Sequence, residues 1–345
     1  MRIFHDANAI RHDPTQYFRR GTLISHPEQA SRYIVLRDAL DAGGHQLVQV
    51  GDQGLEPILA VHDAGYVAFL RDVWARRAEV PGISAEILTG HFARPHMHRA
   101  PEGLLGLIGY YLADTSTPIR AGTWDAVYGA AQAAIGAAGD ALASGEAYAL
   151  CRPPGHHAYA DSAGGFCYLN NTSTAAEHLR KLTQGRIAII DIDVHHGNGT
   201  QGIFYPRSDV VTVSVHADPA DYFPFYAGYA DETGTGDGLG FNHNLPLPQG
   251  SKDAPWLDAI GAACEIAAAH RPDALVIALG LDAAEDDPIG AFKVTTAGFA
   301  AAAKILAQMR LPTAIIQEGG YLCDALPRNL TAFLEAFEIA RQESR

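Results

Sequence analysis

Residues 186–200 read RIAIIDIDVHHGNGT. The first part, Ile187 to Ile190, is a short apolar run rich in β-branched side chains, as expected of a strand buried on both faces. The second part turns polar at once, with Asp191, Asp193, His195 and His196 followed by glycines on either side of Asn198. Strands covered on both faces belong to parallel sheets, where ligands collect just beyond the carboxyl ends of the strands. Asp193 and His195, two apart on an extended segment, face the same way and can reach one metal ion.

The same sequence pattern recurs along the chain. EAYALCR (146–152) runs into PPGHHA, VVTVSVH (210–216) ends in a histidine, ALVIALG (274–280) runs into LDAAEDDP, and TAIIQEG (313–319) runs into GYL. Helical stretches lie between them: an Ala-rich one over 123–143, YLNNTSTAAEHLRKL (168–182), 254–270, TTAGFAAAAKILAQM (295–309) and the C-terminal stretch. Upstream, MRIFH and HQLVQV read as strands, and 28–41 and 61–77 as helices. A loop is expected from the end of VVTVSVH through Gly250. Apolar strands alternating with helices predict an α/β fold: a single domain spanning 1–345, with a central parallel sheet flanked by helices. The segment from about 79 to 106 has prolines, glycines and no sustained period, and is predicted to be a long loop insertion.

The bulk properties narrow the partners. With a net charge of −14, the 345-residue chain has no clustered basic surface, so nucleic acid is not an expected partner, whereas a cationic small molecule is. No apolar run reaches the length of a membrane span. The four cysteines form no C-x-x-C pattern and the N-terminal MRIFHDANAIRHD has no apolar secretory core, so a reducing cytoplasm is the expected location.

The polar strand ends carry the chemistry. Asp282 is placed to join Asp193 and His195, and two carboxylates with one imidazole make a catalytic zinc set with open positions for water and substrate. His156 and His157, side by side after Pro-Pro-Gly, offer a proton acceptor and a second group to hold charge. Asp191 is positioned to orient one of these imidazoles and Asn198 to support the other. Tyr321, after Gly319 and Gly320, projects a phenol suited to an oxyanion. GGFCYLNN (164–171) lets backbone approach a ligand and offers Phe166 as a wall.

Taken in order, RPPGHHA, GGFCYLNN, DIDVHHGNGT, SVH, LGLDAAEDDP and EGGY resemble the zinc-dependent histone deacetylase superfamily. HDAGYVAFL, GYY, AGTW and ETGTGDGLGFN resemble its bacterial acetylpolyamine amidohydrolase branch. The resemblance implies an arginase/deacetylase-like fold and hydrolysis of an N-acyl amide, such as an acetyl amide, of a small cationic amine. It also implies one Zn2+ per chain on Asp193, His195 and Asp282. It assigns His157 as general base and acid, His156 as its electrostatic partner, and Tyr321 as the group that polarises the carbonyl. Gly165, Phe166, Phe223 and Ile289 match channel positions. Asp191, Asp193, His195, Ser214 and Val215 match a structural K+ site. The same branch implies a homodimer in which the 79–106 segments meet. Asn198 stands where many histone deacetylases have Asp. Ile289 replaces the glutamate gatekeeper of eukaryotic polyamine deacetylases, and Gln16 and Leu105 stand where the bacterial branch has entrance carboxylates. The alternative activity is deacetylation of acyl-lysine in proteins. A non-catalytic acylamine-binding relative is the alternative from a different class.

Overall fold

The computed structural model describes residues 1–94, 96–97 and 99–343. The apolar runs form strands β1 (Arg2–His5), β4 (Gln46–Gln49), β5 (Glu146–Ala149), β6 (Ile187–Asp191), β7 (Val210–Ala217), β9 (Ala274–Leu279) and β10 (Thr313–Gln317). With β8 (Asn242–Leu247) they make one eight-stranded sheet, ordered β4-β1-β5-β10-β9-β6-β7-β8. Every pairing in it is parallel. A separate antiparallel hairpin joins β2 (Gln16–Arg19) to β3 (Thr22–Ser25).

Alternate residues of the central strands supply two cores. Ala188, Ile190, Leu275, Ile277 and Leu279 pack with Trp256, Phe299, Phe333 and Phe337 from the helices Asp253–Ala269, Thr296–Ala307 and Leu326–Glu343. Ile187, Ile189, Ala274 and Val276 pack on the opposite face, against alanines of the helix Thr123–Ser144 and Leu179 of Asn171–Thr183. Each such Ile or Leu contributes about 1.5–3 kcal/mol by leaving water. This double burial explains why the strands read as continuous apolar runs rather than alternating ones.

Several elements depart from the sequence expectation, the β2–β3 hairpin among them. β8 lies where a loop through Gly250 was expected. Its first half, Asn242 to Asn244, is polar, and its second half includes Pro246, which is tolerated because β8 is an edge strand. A helix over Leu104–Tyr111 begins inside the segment assigned as irregular, and a short helix, Asn198–Phe204, follows His195 and His196. Within 79–106, Pro95 and His98 lie outside the described residues. Ile87 is fully buried and bridges to Ile119, while Ile83, Leu88 and Phe92 pack on the cluster that holds Tyr66 and Ile108. Those apolar side chains therefore have partners in their own chain, and Met97, at 55% exposure, does not share that burial. No described helix is long and apolar enough to cross a membrane.

Candidate active site

The five polar strand ends singled out in the sequence belong to five adjacent strands, β5-β10-β9-β6-β7. The chain order differs, so crossovers bring residues far apart in sequence to one edge of the sheet. His156 and His157 follow β5, Asp191 to His195 end or follow β6, and Ser214 and Val215 lie on β7. Asp282 follows β9, and Tyr321 follows β10.

Asp193, His195 and Asp282 offer ligand atoms within 4.8 Å of one another. His195 Nδ1 lies 3.1 Å from Asp193 Oδ1 and 3.2 Å from Asp282 Oδ2. The convergence owes as much to a turn as to strand alternation, since β6 ends at Asp191. Asp191 Oδ1 accepts the Asp193 N–H and Asp193 Oδ1 accepts the His195 N–H, while Ile192 and Val194 point into the core. Asp282 Oδ1 accepts the Val194 N–H at 3.0 Å, which ties the β9 end to the β6 end. Gly319 closes the cluster: a Cβ there would meet Asp282 Oδ2 at 2.1 Å and Asp193 Oδ2 at 2.5 Å.

The electrostatics suit a cation. Burial and the Asp193 charge push the Asp282 carboxyl up to about 6. Burial opposes charge on His195, but hydrogen bonds and the charges of Asp193 and Asp282 raise it to about 9. Two buried carboxylates thus share one imidazolium proton. A divalent ion in the same place would free that proton and balance both carboxylates, so these residues fit a metal.

His156 and His157 are 2% and 5% exposed, with ring centroids 4.0 Å apart. His156 Nδ1 is 2.9 Å from Asp191 Oδ2, and His157 Nδ1 is 2.6 Å from Asn198 Oδ1. An amide oxygen only accepts, so the His157–Asn198 bond puts the proton on Nδ1 and leaves Nε2 as the free base in the neutral ring. Burial opposes the charged form of His156, but Asp193 and Asp191 outweigh it and hold its pKa well above the usual imidazole value. Burial and the positive charges of His156 and His195 hold His157 well below that value. Neighbouring imidazoles are driven apart, one toward charge and one toward neutrality.

Tyr321 is 3% exposed. The buried phenols of Tyr66, Tyr148 and Tyr168 each donate to a protein oxygen, whereas that of Tyr321 has no partner among the described residues. Burial pushes it well above the usual phenol pKa, so it remains a donor. It faces a cavity of about 310 Å³ also lined by His157, His195, Gly165, Phe166, Phe223 and Ile289. At the proposed potassium position, the carbonyl oxygens of Asp193 and His195 accept no hydrogen bond among the described residues. The Ser214 hydroxyl lies 2.8 Å from His216 Nδ1. Unmatched carbonyls behind the site fit a monovalent cation.

Several contributors escaped the sequence reading. Glu318, at the end of β10, accepts from Gly155 N, His156 N and Thr172 Oγ1, which pins the histidine loop. Asp287 accepts the Tyr321 N–H at 2.7 Å. Arg32 donates to Gly320 and Glu318 carbonyls and lies 4.8 Å over the Tyr321 ring. A strand that ends in a buried acid was the available signal for Glu318. Arg32 had none, because its partners are remote in sequence. Glu28 sits between Arg32 at 2.7 Å and Arg152 at 2.8 Å, all three buried. Glu28→Gln leaves two buried guanidinium groups uncompensated and should cost about 3–5 kcal/mol of stability. Urea unfolding measures it, and an unchanged midpoint would show that the carboxylate charge is dispensable.

The histone deacetylase domain family matches this chain over residues 26–337. An acetylpolyamine amidohydrolase of Burkholderia pseudomallei is 43% identical over 346 residues, covering 99% of each chain. Acetylpolyamine amidohydrolase 1 of Pseudomonas aeruginosa is 43% identical over 298 residues, or 85% of this chain and 86% of that one. Among solved structures, an acetylpolyamine aminohydrolase from Burkholderia pseudomallei aligns with a TM-score of 0.94, at 41% identity and 99% coverage of both chains.

Proposed function

The chain belongs to the histone deacetylase family and is a hydrolytic enzyme, and from that premise we propose that it removes the acetyl group from small acetylated amines of the polyamine class. The observation that carries the reading is the cluster of Asp193, His195 and Asp282 beside a neutral His157 and an unpartnered Tyr321 hydroxyl, all at one cavity. The full-length likeness to acetylpolyamine amidohydrolases supports the substrate class.

Asp193, His195 and Asp282 would hold the ion, which we propose is zinc, one per chain. When bound, it supplies Lewis acidity to the reacting carbonyl and water. His157 Nε2 takes a proton from the attacking water and returns it to the leaving nitrogen. His156, held toward its charged form by Asp191, stabilises negative charge next to the reaction. The Tyr321 hydroxyl donates to the carbonyl oxygen as charge develops there. The C–N bond breaks, and acetate and a free amine leave. Phe166 and Phe223 flank the methylene chain. Backbone groups of Asp191, Asp193, His195 and Val215, with the Ser214 hydroxyl, would hold a K+ ion, which would steady the loop behind the ligands.

Acetate release from acetylputrescine by the metal-loaded protein tests this reading. Turnover only of acetyl-lysine peptides would shift it to the protein deacetylase alternative. Asn198→Asp should raise the His157 pKa, because a carboxylate favours imidazolium, by about one unit. The base must be neutral to act, so the acid limb of kcat/KM against pH should move up by the same amount. An unmoved limb would mean that His157 is not the titrating base. We further propose a cytoplasmic homodimer in which exposed Met97 and Leu105 contribute to the contact. Light scattering that shows a monomer would rule the dimer out.

A further inference from the structure

The cavity mouth carries charges of both signs. Arg19, Arg20, Asp114 and Asp221 line the same cavity as His157 and Tyr321. None of the four forms an ion pair with any side chain among the described residues. The chain has 39 acidic residues and a net charge of −14, so arginines left unpaired beside unpaired acids are unexpected. Asp114 is fixed in place by the N–H groups of Gly165 and Ser116, at 2.9 and 2.8 Å, and by the Ser116 hydroxyl. Tyr17 lines that cavity together with both arginines and Asp114.

Backbone geometry adds an independent observation. Arg20 and Gly21 form the two-residue turn between β2 and β3, with φ of 49° and 83°. Turns with both central residues at positive φ favour Asn-Gly. An arginine in the first position keeps a disfavoured conformation at the cavity lining, and such outliers cluster where a side chain has work to do. A polyamine tail would match the two acids but leave the two arginines without a counterion. A zwitterion satisfies all four charges.

We infer that the mouth recognises an α-amino acid head, so that the substrates include dibasic amino acids acetylated on the side-chain amine. The α-ammonium lies toward Asp114 and Asp221, and the α-carboxylate toward Arg19 and Arg20. This rests on the amidohydrolase reading above and extends its substrates from polyamines to amino acids. In the reaction, water adds OH to the acetyl carbon and H to the side-chain nitrogen as the C–N bond breaks, so free acetyl-lysine gives acetate and lysine.

The test compares free Nε-acetyl-lysine with N-acetylcadaverine, the same molecule without its carboxylate, on the metal-loaded full chain. The wild type should favour acetyl-lysine in kcat/KM by about tenfold or more, the scale of one charge-assisted hydrogen bond. Arg19→Gln combined with Arg20→Asn, a residue that the turn position favours, should lose about tenfold on acetyl-lysine and gain on acetylcadaverine. Asp221→Asn should weaken both substrates together and leave their ratio in place, because both carry the free ammonium. A wild type that prefers acetylcadaverine, or a ratio unmoved by the arginine substitutions, would overturn the inference. No turnover of either substrate, nor of acetylputrescine and acetyl-lysine peptides, would overturn the amidohydrolase reading itself, and this inference with it.

Discussion

Asp282→Ala is expected to abolish turnover and to lower bound transition metal from about one per chain to background. Among the described residues only Asp193, His195 and Asp282 gather as a metal-binding group, so no fourth side chain replaces the missing ligand. In the metal-free protein the change has two opposed effects. It relieves the repulsion of two buried carboxylates, which with burial pushes the Asp282 carboxyl up to about 6, but it leaves the buried Val194 N–H without its acceptor, a loss of about 1–3 kcal/mol. The metal-free variant should therefore unfold at a somewhat lower temperature than the metal-free wild type. Adding zinc should stabilise only the wild type, by about 2.7 kcal/mol at a hundredfold excess over Kd. Elemental analysis and thermal unfolding measure the two effects separately. A variant that keeps stoichiometric metal and its rate would move the metal to a different site.

Tyr321→Phe should retain metal and fold while kcat falls by roughly 10²–10³. Phenylalanine preserves the ring that packs edge-on to Phe166 and under Arg32, so the surrounding structure loses only a hydroxyl. That hydroxyl makes no hydrogen bond within the described protein, and its removal leaves no buried partner unsatisfied. Thermal stability should change little for the same reason. Loss of kcat with unchanged metal content and a similar KM would identify an interaction made in the transition state. Full activity in this variant would remove the phenol from the mechanism. A comparable fall in Tm would instead indicate a packing role.

The strands and their polar ends were legible in the sequence, because each requirement is local. A strand covered on both faces must be apolar throughout, and Ile187 to Ile190 or Ala274 to Leu279 show this without any knowledge of neighbours. Polar groups directly after such a run have no packing reason to be there, which is how Asp193, His195, Asp282, His157 and Tyr321 stood out. β8 stayed hidden because an edge strand is paired on one side only, and its alternating Asn and Pro residues resemble a loop. Glu318, Asp287 and Arg32 were missed as supports, because a buried hydrogen bond between remote segments leaves no periodic trace. The order β5-β10-β9-β6-β7 was likewise out of reach. Which parallel strands become neighbours depends on how the crossover helices pack, not on the pattern within any strand. Tertiary structure alone therefore brought Asp282 to His195 and carried the hairpin arginines to the cavity that Asp114 and Asp221 also line.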